Sequence, residues 1–299
     1  MAEEPPKRIV IQYPSPAVDG GRFPAKRCVG DRVIVEADIF RDGHDLLRAV
    51  VLHHHPQATR AHHERMFWRE AEMRQIDAHL DGVRWAGSFD VDRAGTWKYT
   101  IEAWTDVFGT WRDELARKVE AGQHDLAGEM SEGIVLLREA ADVAEDQGDR
   151  VLIEHALISL EDPAIPESAK YDVALGPELF AAVERVQPRH GSVVLEHALT
   201  IEVDRLRARF GAWYELFPRS WGGLRGVQEQ LPRLSELGFD VVYLPPIHPI
   251  GHTNRKGRDN ALVASPDDPG SPWAIGDETG GHDAVDSGLG TKDDLKRLT

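Results

Sequence analysis

The first third of the chain alternates apolar and polar residues with the period of a β-strand. In the segment RVIVEADIF every second position is apolar, and one strand face therefore carries Val33, Val35, Ala37 and Ile39. Similar runs predict strands over residues 9–12, 49–53, 83–91 and 95–105, separated by turns at Gly20-Gly21 and Asp42-Gly43. About five short strands with turns between them are typical of an antiparallel sandwich. We therefore predict a β-sandwich domain over residues 1–106.

The pattern becomes helical between residues 107 and 203. Apolar residues recur every three or four positions, as at Ile134, Leu137 and Ala141. This spacing predicts helices over residues 110–121, 125–148, 150–159, 177–187 and 195–210. Short amphipathic helices bury one face and leave the other in water. We predict a helical bundle over residues 107–203, whose many charged residues form a solvated outer face.

From residue 204 onwards, two apolar runs flank a helical pattern. The runs cover residues 212–217 and 239–244, and each is stopped by proline. Between them, apolar positions spaced by three and four predict a helix over residues 224–237, with Pro232 inside it. Strand, helix and strand joined by short links predict a βαβ unit with parallel strands and a right-handed crossover.

Four motifs in this last segment carry a family resemblance. They are WYELFPRS at 213–220, PPIHPIGHTNRKG at 245–257, DPGSPWAIG at 268–276 and GLGTKDDLKRL at 288–298. Together they resemble the start of the catalytic (β/α)8 barrel of the α-amylase superfamily, glycoside hydrolase family 13. Within it they resemble the bacterial maltosyltransferases that extend α-1,4-glucans from maltose 1-phosphate. WYELFPRS alone indicates only an amylase-like barrel, and the two middle motifs narrow the resemblance.

The resemblance implies a multidomain architecture. The N-terminal sandwich would be immunoglobulin-like, the helical segment would be an insertion that takes part in forming a homodimer, and residues 204–299 would hold the first two β/α units of the barrel. No metal or organic cofactor is expected, because the implied chemistry requires none. A barrel needs eight strands, so the implied barrel is incomplete within these 299 residues.

Composition and charge limit the classes of partner. A formal charge of −16 argues against nucleic acid and anionic membrane as general partners, because both are polyanions. A single cysteine, Cys28, excludes an internal disulfide and fits a reducing cytoplasm, where we expect the protein to reside. No apolar run approaches the ~20 residues of a membrane helix. The acidic, proline-bearing start MAEEPPKR is unlike a signal peptide.

A histidine cluster invites a metal-site interpretation, since imidazole is a common zinc ligand. It comprises His53, His54, His55, His62 and His63. Three consecutive histidines point in different directions, however, and neither a nearby cysteine nor an H-E-x-x-H motif is present. We therefore predict no metal site and expect these residues at a strand end and in a solvent loop.

The loop over residues 245–290 holds the candidate site. The active sites of such barrels lie at the carboxyl ends of the strands, and long loops in compact domains are usually functional or disordered. Trp273 offers a flat surface for sugar stacking. Lys256 in TNRKG is the strongest candidate, because a flexible ammonium suits phosphate or sugar oxygens, and the resemblance places this lysine in the donor-sugar site. Asn254, Arg255 and Asn260 are further candidate donors.

One position departs from the amylase pattern. Where many amylase-like enzymes carry a sugar-stacking aromatic residue, often tyrosine, this chain carries His282, which can still stack or donate a hydrogen bond. Asp283 and Asp286 lie nearby, but the resemblance places the catalytic carboxylates at later strands. Retaining chemistry needs two carboxylates roughly 5 Å apart. We expect both beyond Thr299, so this chain would be inactive alone.

The resemblance therefore implies transfer of a maltosyl unit from α-maltose 1-phosphate to the non-reducing 4-hydroxyl of an α-1,4-glucan, with retention and release of phosphate. Two alternatives stay open. The chain is a non-catalytic glucan-binding or dimerisation fragment, or it belongs to a hydrolase of the same superfamily. Release of free maltose instead of transfer would favour the hydrolase.

Overall fold

The computed structural model describes residues 8–55, 68–77 and 82–299. The chain forms two compact units, Met1–Asp204 and Arg205–Thr299. The strands are β1 (Ile9–Ser15), β2 (Ala25–Cys28), β3 (Arg32–Arg41), β4 (Leu47–His54), β5 (Arg69–Gln75), β6 (Arg84–Asp90), β7 (Gly95–Thr105), β8 (His190–Val194), β9 (Leu199–Asp204), β10 (Trp213–Glu215), β11 (Val241–Tyr243), β12 (Ile250–Gly251) and β13 (Ser271–Ile275). The helices are α1 (Val107–Glu120), α2 (Ala127–Val143), α3 (Gln147–Glu161), α4 (Glu167–Ala174), α5 (Pro177–Val186), α6 (Leu224–Glu236) and α7 (Lys292–Leu298).

A nine-stranded sheet forms the β-rich part of the first unit. Its order is β1-β3-β6-β5-β4-β7-β9-β2, and β8 also pairs with β7. The sheet is mixed, because β2 runs parallel to β9 whereas β4 and β7, for example, are antiparallel. It curls around one core, in which Phe89 of β6 packs against Trp97 and Tyr99 of β7 at ring-centroid distances of 6.2 and 6.4 Å. The predicted face of β3 lies in this core and is fully buried.

One predicted helix is wrong. Residues 195–210 were expected to be helical, but they contain β9, which pairs antiparallel with β7 and parallel with β2. The sequence LTIEVD alternates, and Leu199, Ile201 and Val203 are all buried in the sheet core. Two neighbouring strands satisfy its backbone on both sides, and this outweighs the helical spacing of the flanking residues. The helical segment therefore ends at Val186, and β8 and β9 return to the sheet.

The helices of the first unit surround a second apolar core. Its centre includes Phe108, Leu115, Leu137 and Ile153, each at most 2% exposed. Asp106 caps α1 by accepting a hydrogen bond from the Gly109 amide at 2.8 Å, which satisfies a donor that the helix leaves free. The structure confirms helices in four predicted places and adds α4, which the apolar pattern did not indicate.

The charged residues of the helical segment were expected on a solvated outer face, but Asp149 is largely buried. Its side chain is only 11% exposed, and it accepts a hydrogen bond from Arg185 Nε at 3.0 Å. The guanidinium lowers the pKa of the Asp149 carboxyl below its ordinary value. This ion pair ties α3 to α5 at the edge of the helical core.

The second unit contains the predicted strand–helix–strand unit with parallel strands, and the right-handed crossover stays a prediction. β10 and β11 are parallel, with Trp213 opposite Val241, and α6 connects them. Leu224, Val227 and Leu234 of the predicted apolar face are buried, but Leu237 follows the helix and is 60% exposed. In the described residues, no helix combines the length and apolar character needed to span a membrane.

Candidate functional site

A cleft of about 620 Å³ opens in the second unit where β11 ends. One side is formed by the chain from Tyr243 to His248, in which consecutive prolines stop the strand because they cannot donate to a sheet. The opposite side is formed by residues 282–285 and by α7, and Trp273 completes the lining. The volume falls within the ~300–1,000 Å³ range of small-molecule sites.

Two histidines lie in contact inside this cleft. The rings of His248 and His282 meet edge to face, with centroids 5.1 Å apart and an interplanar angle of 71°. His248 is 7% exposed, and its Nδ1 lies 2.8 Å from the Pro249 carbonyl oxygen. Donation to that oxygen requires a proton on Nδ1. The His282 ring packs against this buried ring, and its side chain is exposed and can meet a ligand.

Trp273 lies on a small two-stranded sheet beside the cleft. It lies in β13, which pairs antiparallel with β12, and its side chain is 70% exposed. The two strands approach closely because glycine occupies both sides, since a Cβ on Gly270 would lie 2.6 Å from the Gly251 carbonyl oxygen. An exposed indole held by a backbone pairing gives an apolar surface on which a sugar ring can stack.

Arg255 organises the loop that contains the other predicted site residues. Its Nη1 donates to the Asp268 carbonyl at 2.7 Å, and its Nη2 donates to the Ser265 carbonyl at 2.9 Å. Nη1 also lies 2.9 Å from His252 Nδ1. These bonds use the guanidinium to close the loop, so Arg255 has a structural task whatever it does for a ligand.

The remaining candidates lie on this loop and do not line the cleft. Asn254 and Asn260 adopt positive φ angles of 55° and 61°, a backbone conformation that asparagine tolerates better than most residues. Lys256 is exposed, and no residue in the described part of the chain forms a hydrogen bond or ion pair with it. The structure thus brings Trp273 and His282 together, and it leaves the Lys256 ammonium free to meet a ligand.

The two aspartates near His282 serve the loop backbone. Asp286 Oδ2 accepts a hydrogen bond from Arg219 at 3.0 Å, and its Oδ1 accepts one from the Gly288 amide at 2.8 Å. The Asp286 amide donates to the Ile247 carbonyl at 2.8 Å, which ties the two sides of the cleft. Asp283 Oδ1 accepts from the Gly281 amide at 3.3 Å. Of the described residues that line the cleft, only Asp283 carries a carboxylate.

His248 was missed by sequence reasoning. The signal was present, because a single histidine between prolines directly after a strand lies where barrel sites form. Two lysines of α7, Lys292 and Lys296, also line the cleft and were not singled out. The cleft therefore combines an indole, two imidazoles and cationic side chains, a set suited to binding a polyhydroxylated ligand. Its described lining lacks the facing pair of carboxylates that retaining glycosyl transfer needs.

The histidine cluster of the first unit has a different role from the one expected. His53 and His54 end β4, as expected, but His53 and His55 are only 7% and 6% exposed, so the expected solvent location is wrong for these two. His53 stacks on Phe89 at 4.2 Å and 8°, because alternation along β4 directs it into the core. His62 and His63 lie outside the described residues. Among those described, no three histidine, cysteine, aspartate or glutamate side chains are grouped to hold a metal ion.

Comparisons with known proteins agree on one family. Residues 7–205 match the family described as alpha-1,4-glucan:maltose-1-phosphate maltosyltransferase, domain N/S. A protein of that name from Myxococcus xanthus is 43% identical over 302 residues, covering 97% of this chain and 44% of the relative. The relative from Chlorobaculum tepidum is 40% identical over 297 residues, covering 97% and 42%. An enzyme from Streptomyces coelicolor, numbered 2, is 41% identical over 296 residues, covering 96% and 42%. The chain thus spans less than half the length of these relatives.

Proposed function

The chain belongs to the alpha-1,4-glucan:maltose-1-phosphate maltosyltransferase family, and on that premise we propose that it serves the transfer of maltosyl units to α-1,4-glucans. The donor is α-maltose 1-phosphate, and the acceptor is the non-reducing 4-hydroxyl of the glucan. The observation that carries the proposal is the cleft at the carboxyl end of β11, where Trp273 and the His248–His282 pair converge. The printed names of the relatives supply the two substrates.

The proposed reaction breaks the bond between the maltosyl C1 and the phosphate oxygen. A carboxylate takes the sugar as a β-linked ester, and phosphate leaves. A second carboxyl group gives its proton to the departing phosphate. Now ionised, it takes the proton of the acceptor hydroxyl as that oxygen attacks C1 and displaces the first carboxylate, so that the configuration is retained. Because the cleft lining holds one carboxylate, Asp283, we assign both catalytic groups to residues outside these 299. No metal or organic cofactor takes part in these steps.

Within this function, the cleft and its neighbouring loop bind the donor sugar. Trp273 and His282 give surfaces for stacking on sugar rings. Lys256 meets the phosphate or the sugar hydroxyls, supported by its exposed and unpaired ammonium. Asn254 and Asn260 are weaker donors to the same ligand. Arg255 acts on the ligand only through the loop shape, since its guanidinium already closes that loop.

The finer architecture belongs to the same proposal. We assign an immunoglobulin-like sandwich to the curled sheet and the start of a (β/α)8 barrel to the parallel pair β10 and β11. The helices α1–α5 form a homodimer contact, and the protein works in the cytoplasm, in keeping with its single buried thiol.

A phosphate-release assay tests the function. The 299-residue chain is compared with a chimaera in which it is followed by the matching remainder of the Myxococcus xanthus relative. Each receives maltose 1-phosphate and a short maltooligosaccharide. We expect phosphate and an acceptor longer by two glucose units from the chimaera alone. A Lys256→Ala chimaera should have a higher KM for the donor, while Leu262→Ala, at an exposed position of the same loop, should not.

Other results would redirect the assignment. Release from the short chain would place catalysis on Asp283 or Asp286. Free maltose without transfer would identify a hydrolase of the superfamily. If a folded chimaera released nothing, the donor assignment would be wrong and a non-catalytic glucan-binding or dimerisation role would replace it.

A further inference from the structure

Asp286 joins separate segments of the chain around the cleft of the second unit. Its carboxylate accepts a hydrogen bond from Arg219 Nη2 at 3.0 Å, and Arg219 lies in the turn Pro218–Trp221 that follows β10. The Asp286 amide donates to the Ile247 carbonyl at 2.8 Å, in the wall of the cleft that follows β11. One residue thus connects the segments that follow both parallel strands to the wall that carries His282.

The same residue also closes the turn that leads into α7. Its Oδ1 accepts a hydrogen bond from the Gly288 amide, and its carbonyl accepts one from the Leu289 amide, both at 2.8 Å. The Leu289 carbonyl in turn accepts from the Leu224 amide, at the start of α6, at 2.8 Å. The approach is close, because a Cβ on Gly223 would lie 2.4 Å from the Leu289 carbonyl oxygen. The turn is therefore held against a helix as well as against the cleft wall.

The ion pair between Arg219 and Asp286 is largely shielded from water. The two side chains are 24% and 17% exposed. Among the described residues, Asp286 is the only hydrogen-bonding partner of the Arg219 guanidinium, and Arg219 Nε is buried without an acceptor. Exposed ion pairs contribute little, whereas removing one partner of a shielded pair leaves a charge uncompensated. Loss of either group should therefore move the turn.

The two cleft histidines lie close to this junction in the chain. His248 follows Ile247 directly, and His282 lies four residues before Asp286. Their rings meet at a centroid distance of 5.1 Å although they come from opposite walls of the cleft. A shift of one wall against the other would therefore separate the exposed His282 ring from the buried His248 ring.

We propose that Arg219 and Asp286 are a positioning pair for the donor-sugar site, which sets the distance between the two walls of the cleft. Neither side chain is assigned a contact with substrate or a catalytic step. The pair acts through His282, so its effect on the donor rests on the proposed function. If it serves sugar binding in the ground state and the transition state alike, its loss raises the donor KM and leaves kcat almost unchanged. A role in stability alone would do the reverse, because unfolded enzyme lowers the apparent kcat and leaves KM unchanged.

Steady-state kinetics of the chimaera tests the positioning pair. Asp286→Asn keeps an oxygen for the Gly288 amide but loses the charge, and Arg219→Met removes the guanidinium. Each variant should raise the KM for maltose 1-phosphate about tenfold and should keep kcat within about twofold. The double variant should resemble either single variant, because both changes break one contact. Arg219→Lys keeps the charge and should cause a smaller rise in KM.

A second ion pair of the same unit supplies the matched control. Arg207 Nε lies 3.4 Å from Asp240, which directly precedes β11 and is therefore at the opposite end of that strand from the cleft. Arg207→Met should leave both the donor KM and kcat unchanged. If Arg219→Met does not fold, Arg219→Gln, which keeps one donor, takes its place.

The histidine ring contact gives a readout that does not depend on turnover. In the 299-residue chain with isotope-labelled histidines, a nuclear Overhauser effect should join the rings of His248 and His282. It should weaken in Asp286→Asn and Arg219→Met but persist in Arg207→Met.

Three results would decide against the proposal or separate it from the function. A lower kcat at unchanged KM would show a role in stability alone and overturn the positioning pair. An undiminished ring contact in Asp286→Asn and Arg219→Met would also overturn it. If the unaltered chimaera releases no phosphate, the proposed function fails, and the ring contact alone decides whether the pair holds the two walls.

Discussion

Burial of His53 should make the stability of the first unit depend on pH between about 4 and 6.5. The imidazole is 7% exposed and stacked on Phe89 in the sheet core. Burial, followed by the charges of Arg69 and His54, lowers its pKa from 6.5 to about 4. Asp92 and Arg93 line the same small cavity of about 50 Å³ and hydrogen-bond to each other at 2.8 Å.

Proton linkage determines whether the free energy of unfolding rises or falls with pH. Above the ordinary pKa, His53 is neutral in both states and contributes no pH dependence. As the pH falls below about 6.5, the unfolded chain binds a proton that the folded chain does not, so the free energy of unfolding decreases. One proton changes stability by at most ~1.4 kcal/mol per pH unit. The loss is therefore about 2 kcal/mol at pH 5 and approaches about 3 kcal/mol near pH 4.

Urea unfolding between about pH 7 and pH 5 measures this loss. Hydrogen exchange of peptides from β4 and β7 identifies the transition of the first unit. His53→Gln should be less stable at neutral pH but should lose most of the pH slope. His44→Gln, at an exposed histidine, should keep the slope of the unaltered chain. A His53→Gln variant with an undiminished slope would refute the reasoning.

Two further predictions concern packing and the loop. Gly133→Ala in α2 should lower the free energy of unfolding by roughly 1–3 kcal/mol, because its Cβ would lie 2.0 Å from the Trp111 ring. Thermal unfolding measures this loss. The control Gly128→Ala, which has open space in the same helix, should be neutral or stabilising by up to ~1 kcal/mol. Arg255→Lys should increase proteolysis of the loop because it loses the fork to two carbonyls, whereas Lys256→Ala should not.

Each of these results has a contradicting outcome. Equal stability of the two glycine variants would show that α2 moves away from Trp111 at little cost. Equal proteolysis of Arg255→Lys and the unaltered chain would show that the loop is closed by other contacts, and Arg255 would again become a candidate ligand donor.

The spacing of apolar residues was sufficient to predict the strands and helices in which buried positions recur regularly along the sequence. β3 alternates cleanly, one face of β7 carries an apolar residue at every second position, and the α6 face repeats at three and four. The structure confirms these elements close to their predicted bounds. The parallel pairing of β10 and β11 also follows from sequence, because a strand–helix–strand order with short links permits few arrangements.

Strands whose stability comes from their neighbours could not be predicted in this way. β5 reads REAEMRQ, and only Met73 among its residues is fully buried, so its apolar signal is weak. It is a strand because β4 and β6 supply partners on both sides. The prediction for β9 was wrong because the residues on either side of it have helical spacing. The strands that pair with it come from residues 25–28 and 95–99, which are distant in sequence.

The candidate site also has features that the sequence predicted and features that only the structure shows. The motifs of the second unit determined that a sugar site is to be sought after β11, and Trp273 and His282 do line one cleft there. Only the tertiary structure showed that the Arg255 guanidinium is occupied by backbone carbonyls and that the rings of His248 and His282 meet in the cleft. The sequence by itself determined the family, the βαβ unit and the alternating strands, because these depend on residues close together in the chain. The fold decided which side chains meet and which hydrogen-bonding groups stay open, because those contacts join residues such as Glu70 and Arg189 that are far apart in sequence.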